Sequence, residues 1–231
     1  QMRIGAKMNE VLAFVHIPKT AGTSARQALE QAAGKEHTLS IGVNLSLEEF
    51  AVLTPQKLEN IRVLFGHAHA HQFRTIGARF RFAATVRNPI ERAASYFNFI
   101  KVRRPDSSLA KQIGDMTLLE ATRSLQPFIN EISDLQCRMI CGEADASKAA
   151  ETIQRENWFI ARQSDLNGLA RTICDEYGWN WSPAPTFNVG RKGYKRALLD
   201  RETHEQIAQI NQEDQKLLAF VVSRRRKEAN I

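Results

Sequence analysis

Twice in the N-terminal half of the chain, an apolar, β-branched run passes through a short polar loop straight into a helix-forming segment. Val11–His16 leads into Thr23–Ala33, and Phe80–Val86 leads into a helix that opens at Asn88-Pro89 and runs to about Val102. Arg62–Phe65 and Trp158–Ala161 read as further strands. Strands separated by helices cannot pair as hairpins, so they predict a parallel sheet covered on both faces. The expected fold is therefore α/β, a single domain over residues 1–231 with a parallel sheet of about four or five strands flanked by helices. In such sheets ligands bind beyond the C-terminal ends of the strands, which says where chemistry should be sought.

Local punctuation supports this layout. Gly34 stops the first helix, and Ser46-Leu47-Glu48-Glu49 reads as a capping box opening a short one. Thr54-Pro55 reads as an N-cap with proline at the first helical position. Residues 115–156 are patterned as helix, with breaks near Gln126-Pro127 and Gly142, and Ser164–Tyr177 is a helix closed by Gly178. Trp179–Lys195 is loop-rich, and Glu202–Lys227 is helical with a break near Asn211. No repeat or low-complexity tract divides the chain.

The chain has 231 residues, 43% hydrophobic and 25% charged, which rules out a disordered or collagenous class. No apolar run approaches the roughly 20 residues of a membrane helix. No basic-then-apolar leader opens the sequence, so a cytoplasmic location is expected, with no membrane span. Lys plus Arg exceed Asp plus Glu by 32 − 25 = 7, which favours anionic ligands. Cys137, Cys141 and Cys174 form no CxxC pair. They read as structural thiols of a reducing compartment.

The first strand-to-helix loop is Lys19-Thr20-Ala21-Gly22-Thr23-Ser24. Small residues let backbone approach a ligand, free amides and the helix dipole favour an anion, Lys19 adds a positive charge and three hydroxyls add donors. This is not a Walker A loop, in which the lysine directly follows the second glycine, because Lys19 precedes Gly22. At the second loop, Arg87 falls at a strand's C-terminal end, where a guanidinium can grip a phosphate bidentately. Ser95 follows two turns into the next helix.

The segment His16-Ile17-Pro18-Lys19-Thr20-Ala21-Gly22-Thr23-Ser24 resembles the 5′-phosphosulfate loop of the sulfotransferase superfamily. The form is that of the carbohydrate sulfotransferases, particularly the heparan-sulfate 2-O-sulfotransferase-like branch. Arg87-Asn88-Pro89-Ile90-Glu91-Arg92 followed by Ser95 resembles the superfamily's 3′-phosphate motif. The resemblance implies binding of 3′-phosphoadenosine 5′-phosphosulfate (PAPS), on a fold like the P-loop kinases in outline. Lys19 would meet the phosphosulfate bridge, Thr20 to Ser24 the 5′-phosphate, and Arg87 and Ser95 the 3′-phosphate. Leu135-Gln136-Cys137-Arg138, Thr186-Phe187-Asn188-Val189 and the Asn211, Asp214, Leu217 pattern resemble other parts of the same branch. Arg191-Lys192-Gly193 resembles the loop that closes over the 3′-phosphate in small-molecule sulfotransferases, and reads equally as a solvated basic turn.

His67, His69 and His71 follow a strand, and strand alternation would place them on one face. A metal reading is weakened because no Asp or Glu lies between Asn60 and Glu91. A general base is the other reading, since sulfuryl transfer needs a proton taken from the attacking hydroxyl. Phe65-Gly66-His67 resembles the His-Gly-His of the 2-O-sulfotransferase branch with Phe65 in place of the first histidine, which leaves His67 as the catalytic base. His16 reads as a strand-end packing residue. No metal is expected.

The expected function is sulfuryl transfer from PAPS to a hydroxyl, that of a sugar on an acidic glycan. His69, Arg92, Arg103 and Arg104 are candidates for holding that acceptor. Lys101, Arg103 and Arg104, with Arg74, Arg79 and Arg81, are expected to line a groove for an anionic acceptor or to form a solvated face. The alternatives are sulfation of a small-molecule alcohol, a nucleotide kinase, and a His-cluster metallohydrolase. Nucleic-acid binding rests only on charge and on Arg224-Arg225-Arg226-Lys227, which more simply complement a helix C-terminus, so no nucleic-acid partner is expected.

Overall fold

A computed structural model describes residues 10–183 and 199–229 of the chain. Five parallel strands form one sheet in the order β2-β3-β1-β4-β5. They are β1 (Val11–Val15), β2 (Thr38–Ser40), β3 (Val63–Gly66), β4 (Phe80–Val86) and β5 (Phe159–Arg162). The expected α/β architecture is the one found.

The helices are α1 (Gly22–Ala33), α2 (Leu47–Ala51), α3 (Ala70–Arg74), α4 (Pro89–Arg103), α5 (Ser108–Ile113) and α6 (Leu118–Ser124). They continue with α7 (Gln126–Ile132), α8 (Leu135–Cys141), α9 (Ala146–Arg155), α10 (Leu166–Tyr177), α11 (Arg201–Gln209) and α12 (Gln212–Ala229).

All five residues of β1 are buried, and they divide by parity. Val11, Ala13 and Val15 face a core that includes Phe73 of α3, Ile140 of α8 and Leu217 of α12. Leu12 and Phe14 face the opposite core with Leu29 of α1 and Ile173 of α10. A strand with both faces covered has no polar alternation, which is why its sequence is a continuous apolar run. Phe82 of β4 stacks on Trp158 with ring centroids 4.9 Å apart. A third cluster, including Phe97, Ile113, Phe128 and Ile207, joins α4 to α7 and α11 outside the sheet.

β1 lies between β3 and β4: Phe14 pairs with Phe65 on one side and with Ala83 on the other. From β1 the chain crosses to the edge strand β2, returns through β3 and then passes to β4 on β1's other flank. The strand order therefore reverses at β1, where parallel α/β sheets open a crevice for ligands. The loops after β3, β1 and β4 leave the sheet side by side, and they carry His67, Lys19 and Arg87.

Several expectations are corrected. Thr54-Pro55 opens a 3₁₀ turn (Pro55–Leu58) rather than an α-helix. The helical stretch after residue 115 is also broken at Ser133-Asp134, where Asp134 is left-handed at φ 42°. Three short elements, β2, α3 and α5, have no counterpart in the sequence reading. Arg74, Arg79 and Arg81 do not join the cations of α4. Arg79 and Arg81 sit at the start of β4, at the opposite end of the sheet from its C-terminal loops. Arg74 pairs with Glu156 at 2.7 Å, Arg79 with Glu10 at 3.4 Å, and Arg81 lies 4.6 Å over the Phe159 ring.

Among the described residues no helix is long and apolar enough to cross a membrane. The three cysteines are unpaired, and burial pushes each thiol above its ordinary pKa. This suits structural thiols rather than nucleophiles.

Candidate active site

The loop between β1 and α1 is built by two left-handed residues, Lys19 and Ala21, both at φ 70°. Neither is glycine, and such backbone costs roughly 1–2 kcal/mol per residue. Strain of this kind persists where surrounding contacts impose it. Here the contacts are a buried staple. The Thr20 hydroxyl donates to the Ile17 carbonyl at 2.8 Å, and the Thr85 hydroxyl of β4 donates to the Thr20 carbonyl at 2.7 Å. Thr20 is fully buried. Its hydroxyl is spent on the fold and cannot serve a ligand, which corrects the expectation of three hydroxyl donors. Ser24 is also buried, so Thr23 is the exposed hydroxyl of the three.

α1 begins at this turn without a side-chain cap, since its N-cap residue is Ala21. The amides of Gly22, Thr23 and Ser24 have no acceptor among the described residues. By contrast, Asn88 caps α4 by accepting from Ile90 and Glu91, and Ser46 caps α2. An uncapped first turn at a strand's C-terminal end is a ready anion site.

Lys19 has no ion pair among the described residues. Its ammonium rests 4.3 Å from the centre of the Phe99 ring of α4. Burial, then the charges of Arg87 and Arg103, hold its pKa below the ordinary lysine value. Arg87 reaches the same loop, its Nη1 donating to the Lys19 carbonyl at 3.3 Å, while its Nε meets Glu91 at 3.3 Å. The β1–α1 and β4–α4 loops are therefore in direct contact. Three cations converge here and Glu91 is the carboxylate among them, so the site has an unmet demand for negative charge. Ser95 lies half-buried two turns along α4.

On the other flank of β1, His67 follows β3. Its Nδ1 is 2.7 Å from the His16 carbonyl oxygen. A carbonyl accepts only from a protonated nitrogen, so the neutral ring carries its proton on Nδ1 and presents Nε2 as a base. The His16 ring stacks on His67 with centroids 3.9 Å apart. Although His67 reaches solvent, the protein packed around its ring holds it below the ordinary imidazole pKa, against the His16 hydrogen bond and the charge of Glu131, which raise it. His16 is pushed further down, chiefly by burial and then by the charges of His67 and Lys19. His16 is thus a packing residue, as its place at the strand end suggests, and its carbonyl and ring fix the orientation of His67.

The histidines do not share one face. β3 ends at Gly66, His69 is the N-cap of α3 and His71 lies within that helix. His69 is tied to α8 instead, its Nδ1 2.9 Å from the Arg138 carbonyl. Among the described residues no three His, Cys, Asp or Glu side chains are grouped to hold a metal ion.

Arg92 is corrected as an acceptor-binding candidate. It is fully buried, and its Nη2 donates to the Ile132 carbonyl at 2.6 Å. Its guanidinium satisfies carbonyls at the C-terminal end of α7, where a helix leaves them unpaired. Arg103 and Arg104 remain exposed at the end of α4. Arg191, Lys192 and Gly193, with the 186–189 segment, lie outside the described residues.

Gly22 sets the spacing of the two halves. A Cβ there would lie 1.7 Å from His16 Nε2. Gly22→Ala should therefore displace the His16 ring and destabilise the protein by about 1–3 kcal/mol. Combined with His16→Ala the cost should largely vanish, because the two changes share one volume. Thermal melts of the two single variants and the double variant check this, and additive effects would refute the shared volume.

Compared with family models and with curated proteins, the chain matches none.

Proposed function

We propose that the protein is a PAPS-dependent sulfotransferase acting on a hydroxyl. The observation that carries this reading is the contact between Arg87 and the Lys19 carbonyl, which brings the two strand-to-helix loops within hydrogen-bond reach of each other. PAPS carries charge at both the 5′ and 3′ positions of its ribose, so it needs two anion sites close together. The residues fit such a ligand: the uncapped turn of α1 with Lys19 suits the 5′ side, and Arg87 with Ser95 suits the 3′ side.

PAPS supplies the sulfuryl group, which passes to the acceptor as the bond to the 5′-phosphate oxygen breaks. His67 Nε2 takes the proton of the acceptor hydroxyl. Lys19 and the amides of Gly22, Thr23 and Ser24 stabilise the charge left on the departing phosphate. Such donors cost no reorganisation, because the fold has already aimed them. The acceptor is proposed to be a sugar hydroxyl on an acidic glycan, with the exposed Arg103 and Arg104 and half-buried His69 at hand to meet it.

A nucleotide kinase on the same kind of sheet would place a magnesium-binding carboxylate near the crevice. Here β3 and β4 lead into His67 and Arg87, and the carboxylate beside them, Glu91, is paired with Arg87 at 3.3 Å. Titration calorimetry separates the two. Adenosine 3′,5′-bisphosphate should bind without magnesium and far more tightly than ATP with it. The reverse order would replace this reading with the kinase. Arg87→Ala should weaken the bisphosphate by about 2–4 kcal/mol, since it removes charge-assisted contacts to a phosphate. Unchanged affinity would remove Arg87 from the site.

A further inference from the structure

We propose that Gln136 is a positioning residue for Arg87, extending the β4 ladder one residue past the end of the sheet. The proposal rests on the sulfotransferase reading of the same site. Arg87 is the first residue beyond β4, whose last pairing is Val86 with Arg162 of β5. Its amide and carbonyl need partners that the sheet no longer offers.

Gln136, fully buried in the first turn of α8, supplies both. Its Oε1 accepts from the Arg87 amide at 2.8 Å, and its Nε2 donates to the Arg87 carbonyl at 3.0 Å. A carboxamide has the donor and acceptor of a peptide unit in one plane, so it stands in for a neighbouring strand. Because the Arg87 amide can only donate, the orientation of the carboxamide is fixed.

Gln136 is itself anchored by a helix remote in sequence. The buried Asp214 of α12 accepts from the amides of Gln136 at 3.1 Å and Cys137 at 2.9 Å, which caps α8. The Asp214 amide donates to Asp134 at 2.9 Å, and the Asp134 amide donates to Asn211 at 3.1 Å. An apolar side chain would fill this core without the cost of desolvating an amide. A buried polar network with every link satisfied is suited to holding one geometry. Here that geometry is the base from which the Arg87 guanidinium reaches a phosphate, and bidentate contacts demand such a fixed base.

The test is the preference for a 3′-phosphate, read by calorimetry as the ratio of the dissociation constants of adenosine 5′-monophosphate and adenosine 3′,5′-bisphosphate. Gln136→Met keeps the volume and removes both hydrogen bonds. It should lower the ratio about tenfold, the worth of one to two hydrogen bonds. Its affinity for the monophosphate should stay within about a factor of two of wild type, since the α1 turn is untouched. Asp214→Asn, which loosens the start of α8 with Gln136 in place, is the second variant and should shift the ratio the same way by less. Arg87→Ala combined with Gln136→Met should fall no further than Arg87→Ala alone. A folded Gln136→Met or Asp214→Asn that keeps the wild-type ratio overturns the proposal, as does an equal loss of affinity for both nucleotides. A wild-type protein with no preference for the 3′-phosphate overturns the sulfotransferase reading, and this proposal with it.

Discussion

Lys19→Ala should reduce transfer of labelled sulfate from PAPS by about 10²–10³-fold or more, the usual cost of losing a donor aimed at developing charge. The effect should fall on turnover rather than on folding. Lys19 is left-handed, and alanine adopts that backbone at a similar cost, so the loop gains no new strain. The stacking of the ammonium on Phe99 is lost, about 0.5–2 kcal/mol. Against this, removing one of three neighbouring cations relieves the repulsion that already lowers the Lys19 pKa. A melting curve close to wild type with transfer abolished is the expected pair of results. Retained transfer would take the β1–α1 loop out of the mechanism.

His67→Ala should lower turnover about 100-fold or more. The affinity for adenosine 3′,5′-bisphosphate should be unchanged, because His67 flanks the two phosphate sites without forming either. The pH profile gives a sharper check. His67 must be neutral to act as base, and its pKa lies below the ordinary imidazole value. Activity should be full at neutral pH and lost as pH falls through that lowered pKa, with the midpoint below about 6.5. The acid limb should disappear in the residual activity of His67→Ala. A limb that persists in the variant, or a wild-type midpoint well above neutrality, would assign the base elsewhere.

The strand-to-helix transitions were legible because both strands are buried on two faces and both helices open on small or capping residues. That pattern gave the parallel sheet and placed Lys19, Arg87 and His67 at strand ends. β2, α3 and α5 were not legible because they are three to six residues long. β2 reads Thr-Leu-Ser, and its pairing with β3, not its composition, makes it a strand. The burial of Thr20 and Arg92 was likewise hidden. A hydroxyl in a polar loop and an arginine on a helix both look exposed until packing supplies Thr85 and the α7 carbonyls as partners. The histidine alternation failed because β3 stops at Gly66, after which the chain turns into α3. Gln136 carried a resemblance but no stated role, because its partner is backbone remote in sequence.

A crystal structure with adenosine 3′,5′-bisphosphate tests the joined crevice most directly. The 5′-phosphate should sit on the amides of Gly22, Thr23 and Ser24 beside Lys19, with the 3′-phosphate on Arg87 and Ser95. A nucleotide bound anywhere else, or one leaving either cluster without a phosphate, would contradict the account.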